Sequence, residues 1–393
     1  MSTVETADLR ATTRSVYITF IFLGVAMASF AARIPQIRDH LGLTPSGIGL
    51  VLLAIAAGSI TSLPLAGHLV HRFGSRAMVG TMAVLLGVAL AGAAIGYQYG
   101  VVPIVIALYV YGFSTGAWDV AMNVQAAVVE RRLGRSIMSR FHAGYSVGTV
   151  AGALAGAGAV KAGLPVSQHV VAACVLVVIA VVIAVRGFIP DESAAEEGAD
   201  KASGGALAAW TEPRTLLIGL FVLAFALTEG AGIDWINIAL IDDHGTDASI
   251  GTLGFALFLA AMTIGRWFGP NLLDRYGRVP VLRLLAVTGL AGLLVFVFGP
   301  HPAVAFAGAL LWGLGASLGF PVGMSAAADE PAKAPARVGV VASIGYCAFL
   351  GGPPLIGFLG DHFTVSRGLL AVAMLLVLSL ALTPALREPA DAR

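Results

Sequence analysis

A chain of 393 residues in which 58% are hydrophobic and only 11% are charged is not an ordinary soluble protein, because soluble domains carry about 25% charged residues. The net charge of +1 creates no field that would attract nucleic acid. The two cysteines, Cys174 and Cys347, both fall in apolar segments, which argues against a disulfide framework or a metal cluster. The composition therefore predicts an all-α polytopic membrane protein.

Apolar runs of about 20 residues, the length that crosses a bilayer as a helix, recur twelve times along the chain. The first run is too long for the apolar core of a signal peptide and is predicted to be a retained helix. The predicted spans lie near 15–37, 46–70, 77–97, 101–127, 138–162, 166–189, 215–240, 250–270, 279–299, 302–327, 338–360 and 365–386.

The break after the sixth span differs in composition from the other connections. Residues 190–214 are acidic and rich in small residues, with prolines at both ends of the segment. This composition is typical of a flexible linker. The predicted domains are an N-terminal tail at 1–14, a six-helix bundle at 15–189, a linker at 190–214, a second bundle at 215–388 and a tail at 389–393.

The basic residues predict the orientation in the membrane, since Lys and Arg concentrate in cytoplasmic loops. With the N-terminus inside, eighteen of the 23 basic residues fall in or beside cytoplasmic segments. Only Arg38, Lys161 and Arg367 fall outside, and Arg33 and Arg266 lie within spans. We therefore predict a multi-pass protein of the cytoplasmic membrane with both termini inside.

The two predicted halves repeat at the loop that closes each first hairpin. Aligning Arg72-Phe73-Gly74 with Arg275-Tyr276-Gly277 gives an offset of 203 residues, from 277 − 74. Each glycine suits a tight turn, and the arginines stay outside the bilayer.

This loop resembles the signature of the major facilitator superfamily, Gly-x-Leu-x-Asp-Arg-x-Gly-Arg-Arg. The first copy has His71 in place of the aspartate, and the second has Pro270 in place of the first glycine. In the family the aspartate meets a helix N-terminus when the inside is closed, a position that suits a histidine poorly. The matching or gate positions are Gly67, His71, Arg72, Gly74, Arg76, Asp274, Arg275, Gly277 and Arg278.

The resemblance implies a secondary transporter in which two six-helix bundles rock about a central site, without a cofactor and as a monomer. Within the superfamily the pattern resembles the sugar and small-solute permeases near the fucose–proton symporters. Drug exporters carry an arginine in the fourth span where Leu108 stands here, and a proline in the glycine series of the fifth span, which is absent here. Export of a drug or metabolite is therefore the second choice.

The fourth and fifth spans carry the first group of candidate residues. Asp119 and Asn123 lie four residues apart, as do His142 and Ser146, so each pair shares a helix face. If the two spans pair as a hairpin, these side chains face one another at similar depth. Asp119 and His142 are predicted to handle the proton, with Trp118 as a wall for the solute and Asn123 as a contact. The alternatives are a permanently satisfied carboxylate and a neutral histidine that tethers the helices.

The seventh span carries the second group of candidates. Glu229 lies near its middle and is predicted to be a second protonation site, because a carboxylate at that depth is costly without a purpose. Asp234, Trp235 and Asn237 lie further out and are predicted to contact the solute. Their alternative is a set of packed or statically paired side chains.

Two arginines within the spans complete the candidates. Arg33 is predicted to form an outer gate with Asp234 or Glu229, the alternative being that it extends to the outer headgroups. Arg266, near the inner end of the eighth span, is expected to extend to the cytoplasm.

Motifs for other classes of protein are absent from the sequence. A phosphate-binding Walker loop, His-Glu-x-x-His, Cys-x-x-Cys and Gly-x-Ser-x-Gly do not occur, so we predict neither an enzyme nor a metal site. The predicted partners are the lipid bilayer, a small polar solute and protons, with sodium, uniport and a non-transporting sensor or scaffold left open.

Overall fold

The computed structural model describes residues 3–134, 137–190, 208–330 and 333–388, and no strand occurs within these ranges. The helices of the first part are α1 (Thr3–Ala31), α2 (Ile34–Leu41), α3 (Pro45–Phe73), α4 (Ser75–Gly96), α5 (Val101–Leu133), α6 (Met138–Lys161) and α7 (Val166–Ala184). The later helices are α8 (Pro213–Asp242), α9 (Ala248–Tyr276), α10 (Arg278–Phe298), α11 (Pro302–Ala316), α12 (Gly319–Ala327), α13 (Ala334–His362), α14 (Val365–Gly368) and α15 (Leu370–Leu382).

Twelve helical stretches of the described chain are long and apolar enough to cross a membrane. Each of them matches one of the twelve predicted spans, which confirms the predicted fold class. Three of the stretches contain a break and consist of two helices each. These are Leu9–Leu41, Pro302–Ala327 and Val365–Leu386. The apolar runs did not reveal these breaks, because each run continues through its break and is long enough to be taken as one span.

The chain divides into two compact units, each with its own core. Unit 1 comprises Met1–Ser193 and Ala248–Ala256, and unit 2 comprises Ala194–Asp247 and Leu257–Arg393. Residues 191–207 of the predicted linker and the predicted tail at 389–393 lie outside the described residues. Helix α1 already begins at Thr3, so most of the expected N-terminal tail continues the first helix.

Glycines at equivalent turns show that the two halves repeat. Gly74, after α3, and Gly277, after α9, both have φ of 79°, a conformation that residues with a side chain rarely adopt. Gly42 and Gly245 have φ of 59° and 65°, and they are also 203 residues apart (245 − 42). The same offset in two successive turns supports the repeat predicted from the loop motif.

The order of helix packing also repeats. In unit 1, α6 packs against α1, α3 and α4 pack against α5, and α7 packs against α4 and α1. In unit 2, α13 packs against α8, α10 against α11, and α15 against α8 and α10. Helices α5 and α6 touch only slightly, because each has a different main neighbour. The predicted hairpin pairing of the fourth and fifth spans is therefore wrong.

Glycines allow the closest of these helix contacts. A Cβ at Gly148 of α6 would overlap the backbone carbonyl of Ile21 on α1. In unit 2, a Cβ at Gly315 of α11 would overlap the backbone of Gly289 on α10. Small residues at such crossings let helices approach closely in a membrane, where apolar burial alone does not drive their association.

Candidate functional site

An ion pair lies within the membrane-spanning part of unit 2. Nη2 of Arg266 on α9 is 2.7 Å from both carboxylate oxygens of Glu229 on α8. The side chains of Arg266 and Glu229 are 20% and 16% exposed, so the pair is neither sealed from water nor freely solvated. Arg266 was expected to extend to the cytoplasm. It turns instead toward the middle of α8, because a carboxylate there compensates its charge better than a distant headgroup would.

The break between α11 and α12 supplies a further acceptor for Arg266. Nε of Arg266 donates to the backbone oxygen of Ser317 at 3.2 Å. A carbonyl at a helix end has no partner within its helix, so a buried one needs another donor. Gly265 leaves the space that Ser317 occupies, since a Cβ on Gly265 would overlap the hydroxyl of Ser317. The guanidinium thus joins three helices at one point.

The Glu229–Arg266 pair was within reach of sequence reasoning. The turn between α8 and α9 contains Gly245, with Glu229 16 residues before it and Arg266 21 residues after it, from 245 − 229 and 266 − 245. The difference of five residues is about 8 Å along the helix axis, which an arginine side chain spans.

The arrangement of these groups supports reversible charge pairing. A guanidinium that donates to both oxygens of a carboxylate binds it strongly where bulk water is excluded. This bond breaks when the carboxylate takes up a proton, or when an anionic solute takes the place of the carboxylate. Partial exposure leaves a path for water or solute to the pair. Among the described residues, no group of three or more His, Cys, Asp and Glu side chains is placed to hold a metal ion.

The Asp119 group lies in unit 1 and is smaller than expected. Nδ2 of Asn123 donates to Oδ1 of Asp119 at 3.2 Å and to its backbone oxygen at 2.8 Å. The carboxylate is partly exposed, whereas Trp118 is fully buried and offers no open ring face to a solute. His142 is exposed and packs edge-on against Phe20, with ring centroids 5.1 Å apart. Helices α5 and α6 touch only slightly, so their packing does not favour the sharing of a proton between Asp119 and His142, which stays a prediction.

The C-terminal half of α8 contains the remaining solute candidates. Asp234 is partly exposed, whereas Trp235 is fully buried and Asn237 is 2% exposed. Asp234 is therefore the best placed of the three to meet a solute. The roles assigned to Trp235 and Asn237 stay predictions, and in this structure both side chains pack within the protein.

Arg33 bonds within unit 1, at the break between α1 and α2. Nε of Arg33 donates to Nδ1 of His169 at 3.1 Å, and Nη2 donates to the backbone oxygen of Leu164 at 3.1 Å. Because Nδ1 accepts a hydrogen bond, the ring is neutral and carries its proton on Nε2. His169 was not among the predicted residues, although it is a histidine in an apolar span. The proposed outer gate stays a prediction.

The loop motif is engaged differently in the two units. In unit 2, Nη1 of Arg278 is 2.7 Å from Asp329, and Nη2 of Arg214 is 2.7 Å from the other oxygen of the same carboxylate. The Asp329 side chain is only 6% exposed, so this carboxylate holds the ends of α8, α10 and α12 together. His71, Arg72, Arg76, Asp274 and Arg275 are all exposed.

A second cluster of charges lies at the same end of unit 2. Glu212, just before α8, accepts a hydrogen bond from Nε of Arg337 on α13 at 2.5 Å and another from Thr215 at 2.8 Å. Arg337 also bonds to Glu330 at 2.9 Å. The bond from Arg337 holds the pKa of the Glu212 carboxyl below its ordinary value, and the same guanidinium lowers the pKa of Glu330.

This lowered pKa predicts how the stability of the protein depends on pH. The ionised Glu212 stabilises the folded state above the unfolded pKa of about 4.3, and the contribution is lost as the pH falls through the lower folded pKa. Glu212→Gln should therefore reduce the apparent melting temperature at about pH 7, with a difference from wild type that shrinks between about pH 5 and about pH 3. Thermal unfolding of both proteins in detergent over a pH series measures this difference in melting temperature.

A matched control for this prediction is Glu388→Gln. Glu388 is 46% exposed and its contact with Arg278 is 3.6 Å, so its loss should cost little at any pH. A Glu212→Gln difference that grows on acidification would contradict the assignment.

The chain is similar to known proteins both in sequence and in fold. A family model described as Major Facilitator Superfamily matches residues 16–332 and 222–393. An uncharacterised MFS-type transporter of Yersinia pestis is 30% identical over 372 residues, which cover 92% of each chain. The crystal structure of a mutant of a nucleoside transporter, NupG, superposes with a TM-score of 0.80 at 13% identity, over 96% of this chain and 99% of that one. A D-xylose–proton symporter gives a TM-score of 0.75 at 13% identity, over 98% and 99%.

Proposed function

The chain belongs to the major facilitator superfamily, and from that membership we propose that it moves a small polar organic solute across the cytoplasmic membrane by proton-coupled alternating access. Membership of this family shows that the chain is a multi-pass membrane protein of a transporter class. We propose three further properties, which are the solute class, the coupling ion and the orientation in the membrane. The observation that carries the proposal is the partly exposed Glu229–Arg266 pair within the spans of unit 2.

The pair supports proton coupling because its two states differ in charge. With Glu229 ionised, Arg266 is compensated and held against α8. When Glu229 takes up a proton, the guanidinium loses its carboxylate partner, and Nη2 of Arg266 can bind an anionic or hydroxyl-rich solute. Asp119 is the second proposed proton site, since its carboxylate is partly exposed and bonded only weakly by a neutral amide. His142 has a minor role in proton coupling in this proposal, because α6 touches α5 only slightly.

The proposed solute class comes from the character of the site and of the structural neighbours. Guanidinium, carboxylate and amide groups suit hydroxyl-rich or weakly acidic solutes. The neighbours transport nucleosides and D-xylose according to their descriptions, and at 13% identity they show the fold alone. The expected place near the fucose–proton symporters stays a prediction. We propose a cytoplasmic location for both termini on the distribution of Lys and Arg.

The solute class is tested by a stability screen. A solute that binds the folded protein raises its apparent melting temperature by mass action, by about 2.7 kcal/mol of stability at about 100 times its Kd. We expect a nucleoside, sugar or organic acid to stabilise the purified protein, with a shift that differs between about pH 5.5 and about pH 8 because the proposed coupling makes solute binding depend on proton concentration.

The screen also separates the alternatives. Stabilisation by lipophilic drugs alone would favour an exporter and contradict the polar-solute proposal. Stabilisation by no compound, together with no uptake into proteoliposomes, would favour a non-transporting sensor or scaffold.

A further inference from the structure

An open apolar groove lies on the surface of unit 1, between α4 and α7. Its volume is about 820 Å³. Val84 and Val88 on α4 and Val182 on α7 form part of its walls, and the first two are 44% and 65% exposed. Arg76 and Arg186 lie together at one end of the groove. The groove belongs to unit 1 alone and is separate from every candidate transport residue except the loop arginine Arg76.

The length of the groove matches one leaflet of a bilayer. Its wall on α4 extends from Arg76 to Val88, which is twelve residues (88 − 76). At about 1.5 Å per residue this is about 18 Å. The hydrocarbon core of a bilayer is about 30 Å thick, so one leaflet contributes about 15 Å. An acyl chain from one leaflet would therefore fit along the groove with its headgroup beside the arginines.

No carboxylate of the described residues neutralises the two arginines. Both side chains are exposed, and within the described part of the chain neither forms a hydrogen bond or ion pair with a carboxylate. Arg278, in the second copy of the loop, differs because Asp329 neutralises it. Two uncompensated guanidinium groups at headgroup depth form an attractive site for a phosphate.

We propose that this groove binds one anionic phospholipid, with its phosphate on Arg76 and Arg186 and an acyl chain between α4 and α7. The apolar walls favour a lipid over a soluble phosphate ester, since a soluble ester would leave them exposed. The proposal goes beyond the transport function and does not depend on the identity of the solute. With the proposed orientation, the lipid comes from the cytoplasmic leaflet.

Native mass spectrometry of the intact protein in detergent tests the proposal. Phosphatidylglycerol and phosphatidylcholine with identical acyl chains are added in equal amounts. Wild type should retain one phosphatidylglycerol in clear preference to phosphatidylcholine. In the Arg76→Gln/Arg186→Gln variant, the ratio of retained phosphatidylglycerol to phosphatidylcholine should fall by about tenfold. The Gly80→Phe variant keeps both arginines but places a large side chain in the groove, so it should retain less of both lipids.

A matched control removes the same charge outside the groove. Arg140 and Arg275 are exposed and do not line the groove, so Arg140→Gln/Arg275→Gln should keep the wild-type preference. Equal retention of both lipids by wild type, or an unchanged preference in the Arg76→Gln/Arg186→Gln variant, would overturn the proposal. Glycerol 3-phosphate should not displace the lipid, and displacement at equal concentration would show that the phosphate alone is recognised.

Discussion

Replacing Glu229 with glutamine is expected to destabilise the protein by about 3 kcal/mol, and replacing Arg266 with methionine should do the same. Each single change leaves the other charge uncompensated within the membrane-spanning part of unit 2. Removing one partner of a buried pair costs about 3–5 kcal/mol, and the exposure of 16–20% places this pair at the lower end. Thermal and denaturant unfolding of the purified protein measures the loss.

The double variant Glu229→Gln/Arg266→Met should recover most of the stability, because a neutral pair leaves no uncompensated charge. It should nevertheless fail to accumulate solute against its gradient, since it binds no proton at this position. This separation of stability from activity distinguishes a working pair from a structural one. Asp274→Asn, at an exposed carboxylate of the same unit, should change stability by less than about 0.5 kcal/mol. Single variants as stable as wild type would contradict the ion pair.

Replacing Gly148 with alanine is expected to prevent normal folding of unit 1. The added Cβ would overlap three backbone atoms of Ile21 on α1, and a backbone cannot rotate away as a side chain can. Overpacking in a well-packed interior costs about 1–3 kcal/mol and occasionally more. We place this change at or above the upper end, because α1 and α6 form one of the closest helix contacts of the unit.

Gly158→Ala on the same helix is the matched control for this prediction. A Cβ at Gly158 meets nothing within 4 Å, so this change should keep stability or raise it by up to about 1 kcal/mol, the helix preference of alanine over glycine. Membrane expression and the size-exclusion profile of the two variants provide the comparison. Equal yields of folded protein from both would contradict the packing of α1 against α6.

The sequence predicted what depends on local chemistry. The twelve spans follow from runs of apolar residues, and the turns at Gly74 and Gly277 follow from glycine's freedom at positive φ. The repeat was visible because the same local turn recurs at a fixed offset. These features need no knowledge of which helices touch.

Which residues pair with the charged side chains depends on tertiary packing. The sequence predicted these partners less well than it predicted the spans and turns. Asp119 and His142 were expected to meet because their spans are consecutive, but α6 packs on α1 instead. Arg266 was expected at the cytoplasmic surface, and its pairing with Glu229 appears only when spans seven and eight are matched in depth. Breaks such as the one at Ser317 leave no mark in hydropathy, since they keep the segment apolar.

The measurement that tests proton-coupled transport most directly is uptake into proteoliposomes with an imposed pH gradient. The substrate is the solute identified in the stability screen, and counterflow exchange is measured in the same vesicles. Wild type should accumulate solute against its gradient and also exchange it. Asp119→Asn/Glu229→Gln should exchange solute, which shows that it is folded and binds, but should not accumulate it. Full accumulation by this variant would contradict proton coupling through Asp119 and Glu229.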